Sequence, residues 1–98
     1  MTVKRVTTHP GAILREEFLV PLNLSVNALA TALRVPATRI GAIVKGERAV
    51  TADTAMRLGR YFGTSAEFWL NLQTAHDLTK AQTESGREIA RAVRPRAA

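Results

Sequence analysis

Two short apolar stripes of helical period, set close together, limit what this chain can fold into. Ser25 is a good helix N-cap, and Val26, Leu29, Ala30 and Leu33 follow it at i, i+3, i+4 and i+7. Arg34 and Val35 make a short turn. Pro36 then starts another helix, on which Ile40, Ile43 and Val44 repeat the i, i+3, i+4 spacing, and Gly46 is its natural stop. Two helices joined this tightly must brace each other.

The flanking sequence reads as three more helices and no strand. The first spans about residues 10–20. Pro10 suits its first position, Leu14 and Phe18 share a face, Glu16 and Glu17 point outward, and Pro21 ends it. The fourth starts near Thr51, with Asp53 in its first turn, buries Ala55, Leu58 and Phe62, and ends at Gly63. The fifth opens on Thr64-Ser65-Ala66-Glu67, a capping-box pattern, and fades near Lys80 or Gln82. Thr83-Glu84-Ser85-Gly86 reads as a breakpoint, and residues 83–98 as a basic tail, either disordered or one short helix carrying Ile89 and Val93. Residues 1–8 form an N-terminal arm, so the domain proper is 9–82. Ninety-eight residues allow one such domain.

Charge narrows the function. Fourteen Lys and Arg against eight Asp and Glu give +6, and the isoelectric point is near 11.1. Nine of those cations lie in residues 1–60 against four anions. Residues 61–86 are mildly acidic, and the last twelve residues are basic again. This is the footprint of a chain that meets nucleic acid with one end. There is no cysteine, which excludes disulfides, thiolate metal sites and a cysteine nucleophile, and fits a cytoplasmic protein. No apolar run approaches a membrane span, and Met1-Thr2-Val3-Lys4-Arg5 lacks the apolar stretch of a signal peptide. His9 and His76 lie far apart in sequence, without metal-ligand spacing. No nucleophile motif, phosphate loop or carboxylate pair suggests an enzyme, and no cofactor is expected.

The pair at 25–46 has the proportions of a helix-turn-helix, whose second helix enters the major groove. Its residues Leu24-Ser25, Leu29-Ala30, Leu33, Val35, Ile40, Ile43-Val44 and Gly46 resemble the Cro/phage-repressor type. The likeness tightens around it. His9-Pro10-Gly11, Ile13 to Phe18, Ile43 to Arg48, Thr51 to Ala55, Arg57-Leu58, Tyr61 to Ser65 and Phe68 to Gln73 are similar to HigA-type antitoxins, over about residues 9–78. The resemblance implies an all-α, five-helix fold, usually dimeric. It also implies an antitoxin that neutralises a HigB-type ribonuclease toxin, binds its own operator DNA and represses the operon.

Site residues follow from the motif. Arg39, Thr38, Ala37 and Ala42 are the candidates to meet base edges; for each, a helix surface without a ligand is the alternative. Gly41 is small and outward, either a close-approach point or a tolerated weak one. Lys45, Arg48 and Arg34 are candidate phosphate contacts, with Lys4 and Arg5 a weaker arm. Phe68 and Leu72 read as core. Trp69 and Leu70 are candidates for a dimer interface. Arg87, Arg91 and Arg94 face DNA, toxin or water. Two positions depart from the family pattern. Arg34 stands where Gly is usual, and Val26 where Gln commonly contacts the DNA backbone. Three other readings stay open: a plain repressor with no toxin partner, a toxin-binding protein that hardly binds DNA, and RNA binding, for which the aromatic platform is missing.

Overall fold

A computed structural model describes residues 6–97, and these form five helical segments without a strand. Lys4 and Arg5, the expected basic arm, lie outside the described residues. The first segment begins as α1, Pro10–Ile13, with Pro10 in its first turn and His9 as its N-cap. It does not stay a regular α-helix to residue 20 as expected. Leu14–Leu19 continue it as a π-helix, and Val20 N donates to the Arg15 carbonyl five residues back at 2.9 Å. Leu14 and Leu19 are buried along this wider coil, and Phe18 packs half-buried against the core.

The central pair is α2, Val26–Leu33, and α3, Ala37–Val44. Ser25 caps α2, its Oγ accepting from Ala28 N at 3.0 Å. Pro36 stands one place outside α3, as its N-cap, rather than within it. Arg34 ends α2 in the left-handed conformation, at φ 62° and ψ 43°. A side chain there costs about 1 kcal/mol relative to glycine. Thr51 caps α4, Ala52–Phe62, which Gly63 terminates at φ 77°. Leu29, Leu33, Ile40, Ile43, Ala55 and Leu58 from these three helices meet Leu14 and Trp69 in one core.

Helix α5 runs from Ala66 to Ala92. Ser65 is its cap, accepting from Phe68 N at 3.0 Å, so Glu67 sits one residue early for the capping box expected there. The helix does not break at residues 83–86. Gly86 in a helix interior costs only about 0.8–1 kcal/mol. Thr83 Oγ1 satisfies itself on the Thr79 carbonyl at 2.9 Å, and Glu88 and Arg91 pair one turn apart at 3.6 Å. Residues 83–92 of the tail are therefore a projecting helical arm. It stretches the molecule to 52 Å and raises the radius of gyration to 16.3 Å, where about 13 Å suits a compact chain of this length.

Trp69 is wholly buried in the single chain, while Phe68 is partly exposed. This reverses the expected roles and removes the Trp69 side chain as a dimer contact. Its ring lies 5.1 Å from that of Phe18. Its Nε1 donates to Thr64 Oγ1 at 2.8 Å, which satisfies the one polar atom the ring carries inside. Leu70 is half-buried.

Candidate nucleic-acid interface

Helix α3 is seated by Ile40 and Ile43, both fully buried, and by the close approach of α1 beneath it. A Cβ on Gly11 would run into the Ile43 carbonyl group, with Ile43 C at 2.7 Å and His9 Nδ1 at 3.1 Å. Only glycine lets α1 come this near. Gly41 has no such constraint, since its nearest neighbour would be Val26 Cγ1 at 4.0 Å. Val26 packs half-buried against the core. The side chain that replaces the usual Gln therefore braces α2 and offers no hydrogen bond.

With Ile40 and Ile43 inward, Thr38 is exposed and Ala37 and Ala42 are half-buried. Arg34, Lys45 and Arg48 are all exposed, at the C-cap of α2, at the C-cap of α3 and in the loop beyond. The α3 end and its surround thus carry cations and small side chains together, the surface that phosphates and base edges require. An open groove of about 660 Å³ adjoins it, lined by Ala32, Leu33, Met56 and Tyr61 with Asp53, Arg57 and Arg60.

Arg39 is less loose than a surface arginine. Its NH1 donates to Asp53 Oδ2 at 3.1 Å, and only 26% of its side chain is exposed. The same oxygen accepts from Arg57 Nε at 2.9 Å, and Arg57 NH1 donates to the Leu33 carbonyl at 2.9 Å. The Arg57 hydrogen bond, more than any other influence, holds the Asp53 carboxyl below its ordinary range. The sequence placed Asp53 only in the first turn of the fourth helix and gave Arg57 no role. The i, i+4 spacing of Asp53 and Arg57 was a visible signal. The contact to Arg39, fourteen residues away, was not.

The histidines that are distant in sequence meet in space. Their rings stand edge to face at 4.9 Å. His9 Nδ1 accepts from Gly11 N at 2.8 Å, and His76 Nδ1 donates to the Thr7 carbonyl at 2.7 Å. Thr7 N also donates to Thr79 Oγ1 at 2.9 Å, so the segment before α1 is tied to α5. No group of three or more His, Cys, Asp or Glu gathers as a metal site among the described residues.

Burial, His76 and Lys80 push the His9 pKa below its ordinary 6.5, against an opposing pull from Asp77. The unfolded chain therefore takes up this proton more readily than the folded one. The resulting stability is complete above pH 6.5 and is lost as pH falls from there through the lower value of the folded chain. Thermal melts between pH 7.5 and 5 should show the loss, and His9→Asn should flatten it, because Asn caps a helix without titrating. Asp53 contributes no slope in that window, since its depressed carboxyl titrates below 3.8.

Residues 14–69 match the helix-turn-helix family. Virulence-associated protein I of Dichelobacter nodosus is 58% identical over 76 residues, covering 78% of this chain and 70% of its own. The Pseudomonas aeruginosa antitoxin HigA, solved with the higBA promoter, shares 47% identity over 92% of this chain and 98% of its own, at a TM-score of 0.88. Antitoxin GraA, solved in complex with its operator, shares 42% identity over 100% and 99%, at a TM-score of 0.93. No helix among the described residues is long and apolar enough to cross a membrane. On its seated α3, its cationic surround and these likenesses over nearly the whole chain, the protein belongs to the helix-turn-helix family, among the HigA-type antitoxins.

Proposed function

We propose that this protein is a cytoplasmic antitoxin that binds its own operator as a dimer, represses its operon and neutralises a HigB-type ribonuclease toxin. The observation that carries the DNA part is the N-terminal half of α3, where Thr38 is exposed and Arg39 partly so, with the exposed cations Arg34, Lys45 and Arg48 at the ends of α2 and α3 and in the loop beyond. Relatives solved with promoter or operator DNA support it. Thr38, Arg39, Ala37 and Ala42 meet base edges in this reading, while Arg34, Lys45 and Arg48 hold phosphates without reading sequence.

Two copies would place their α3 helices in successive major-groove faces, about 34–36 Å apart. With Trp69 inside the core, the dimer surface must come from side chains a single chain leaves open. Met56 and Tyr61 on α4, and Phe68 beside half-buried Leu70 on α5, are candidates among the exposed large apolar side chains, which also include Val20, Leu22, Leu78, Ile89 and Val93. A protein that sediments as a monomer both in solution and on a full operator would end the dimer reading. Failure to co-purify with a toxin encoded beside it would end the toxin reading and leave a plain repressor.

The test of DNA recognition is binding to a duplex of about 30 bp from its own promoter, sized to hold the two half-sites of such a dimer. The measurement compares wild type and Arg39→Ala at two salt concentrations. Tight, salt-sensitive binding is expected, with discrimination against a scrambled duplex reduced by about 1–3 kcal/mol in the variant. Equal, weak binding of both proteins to either duplex would mean charge without recognition.

A further inference from the structure

The Arg39 bond to Asp53 adds a residue to the recognition apparatus. An arginine reads a guanine edge through two donors in a fixed fork, so its plane must be set before contact. Here one donor, NH1, is committed to Asp53 Oδ2 at 3.1 Å, and Nε and NH2 have no bond within the described residues. Asp53 is itself fixed from behind. Arg57 Nε holds the same oxygen at 2.9 Å, and Arg57 NH1 is moored to the Leu33 carbonyl at the end of α2. The chain of bonds thus runs from α2 through α4 to the recognition helix. It ends on a side chain that is mostly covered, although the carboxylate it grips is 59% exposed.

That exposure has a second consequence. An ionised carboxylate beside the α3 surface repels phosphates, so it works against affinity for any duplex.

We propose that Asp53 is a specificity-determining positioning residue, which aims Arg39 at the base edge and acts through it without touching DNA. The inference rests on the reading of Arg39 as a base contact, and its test separates the two. Wild type, Asp53→Asn, Arg39→Ala and the double variant are titrated with an operator duplex and a scrambled duplex of equal length. Circular dichroism melts fix a temperature at which all four are folded, and Asp53→Ser repeats the measurement with a residue that also suits a helix start.

Asp53→Asn should bind the scrambled duplex tighter than wild type while its operator-to-scrambled ratio falls about tenfold, within the range of one bidentate base contact. In the Arg39→Ala background the Asp53 change should no longer move that ratio. Tighter binding to both duplexes with the ratio kept would overturn the proposal, because Asp53 would then merely shield Arg39. Weaker binding to both with the ratio kept would also overturn it, by reducing Asp53 to a structural part. If Arg39→Ala keeps the wild-type ratio, the reading of Arg39 itself fails, and that failure is visible in a separate arm.

Discussion

Gly11→Ala should lower the stability of the fold by about 3 kcal/mol or more, at or beyond the upper end for overpacking a core. A methyl at this position meets the Ile43 carbonyl group of α3, a backbone group that no rotamer change can move aside. Alpha1 must then back away from α3. That shift also pulls on His9, whose Nδ1 accepts from the Gly11 amide at 2.8 Å and would lie 3.1 Å from the new methyl. At about 4–8 °C per kcal/mol for a domain of this size, the melting temperature should fall by well over 10 °C. Because the contact is with the recognition helix, operator affinity should fall as well, even below the melt. Gly41→Ala is the control. It makes the same chemical change inside α3, where the new methyl would meet only Val26 Cγ1 at an ordinary 4.0 Å, and should stabilise by about 0.5–1 kcal/mol. A Gly11→Ala protein that melts within 1 kcal/mol of wild type would mean that α1 does not approach α3 this closely.

The sequence made the helical frame readable because its punctuation is local. Ser25 and Thr51 accept from the amides that their cap positions predict, and Gly63 takes the left-handed conformation at the end of α4. Arg34 takes it as well, as the missing glycine of the turn required. What stayed hidden depends on contacts across the chain. The π-helical stretch Leu14–Leu19 has no distinct residue signature. Its extra residue per turn goes with the simultaneous burial of Leu14 and Leu19. The continuation of α5 past Gly86 is hidden because polar and glycine residues look like a boundary, although each is only a small helical penalty. Asp53, His9 and His76 are ordinary surface residues until the fold brings their partners to them.

The exchange of Phe68 and Trp69 has the same origin. Phe68, Trp69, Leu70 and Leu72 occupy four of five consecutive positions, and such a run sets no helical phase. The phase is set by Thr64, whose hydroxyl takes the indole N–H, and by the Phe18 and Phe62 rings around it.

Trp69→Ala should therefore cost about 3–5 kcal/mol, the range for removing a large buried aromatic. The ring packs against Phe18 from the first helical segment and Phe62 from α4, so little nearby can collapse into the space. Trp69→Phe should be milder, about 1–2 kcal/mol, because it keeps most of the volume and removes the hydrogen bond to Thr64. The two possible roles of this residue give opposite concentration dependences. A core tryptophan loses stability by the same amount at any protein concentration. An interface tryptophan would weaken dimers at low concentration and leave the folded single chain intact. Trp69 is the only tryptophan in the chain, so its fluorescence reports this without labelling. A wild-type emission that stays blue-shifted on dilution through any dimer dissociation fits a ring enclosed by its own chain. An emission that shifts red as subunits separate would return Trp69 to the interface and require that α5 be rotated from the phase seen here.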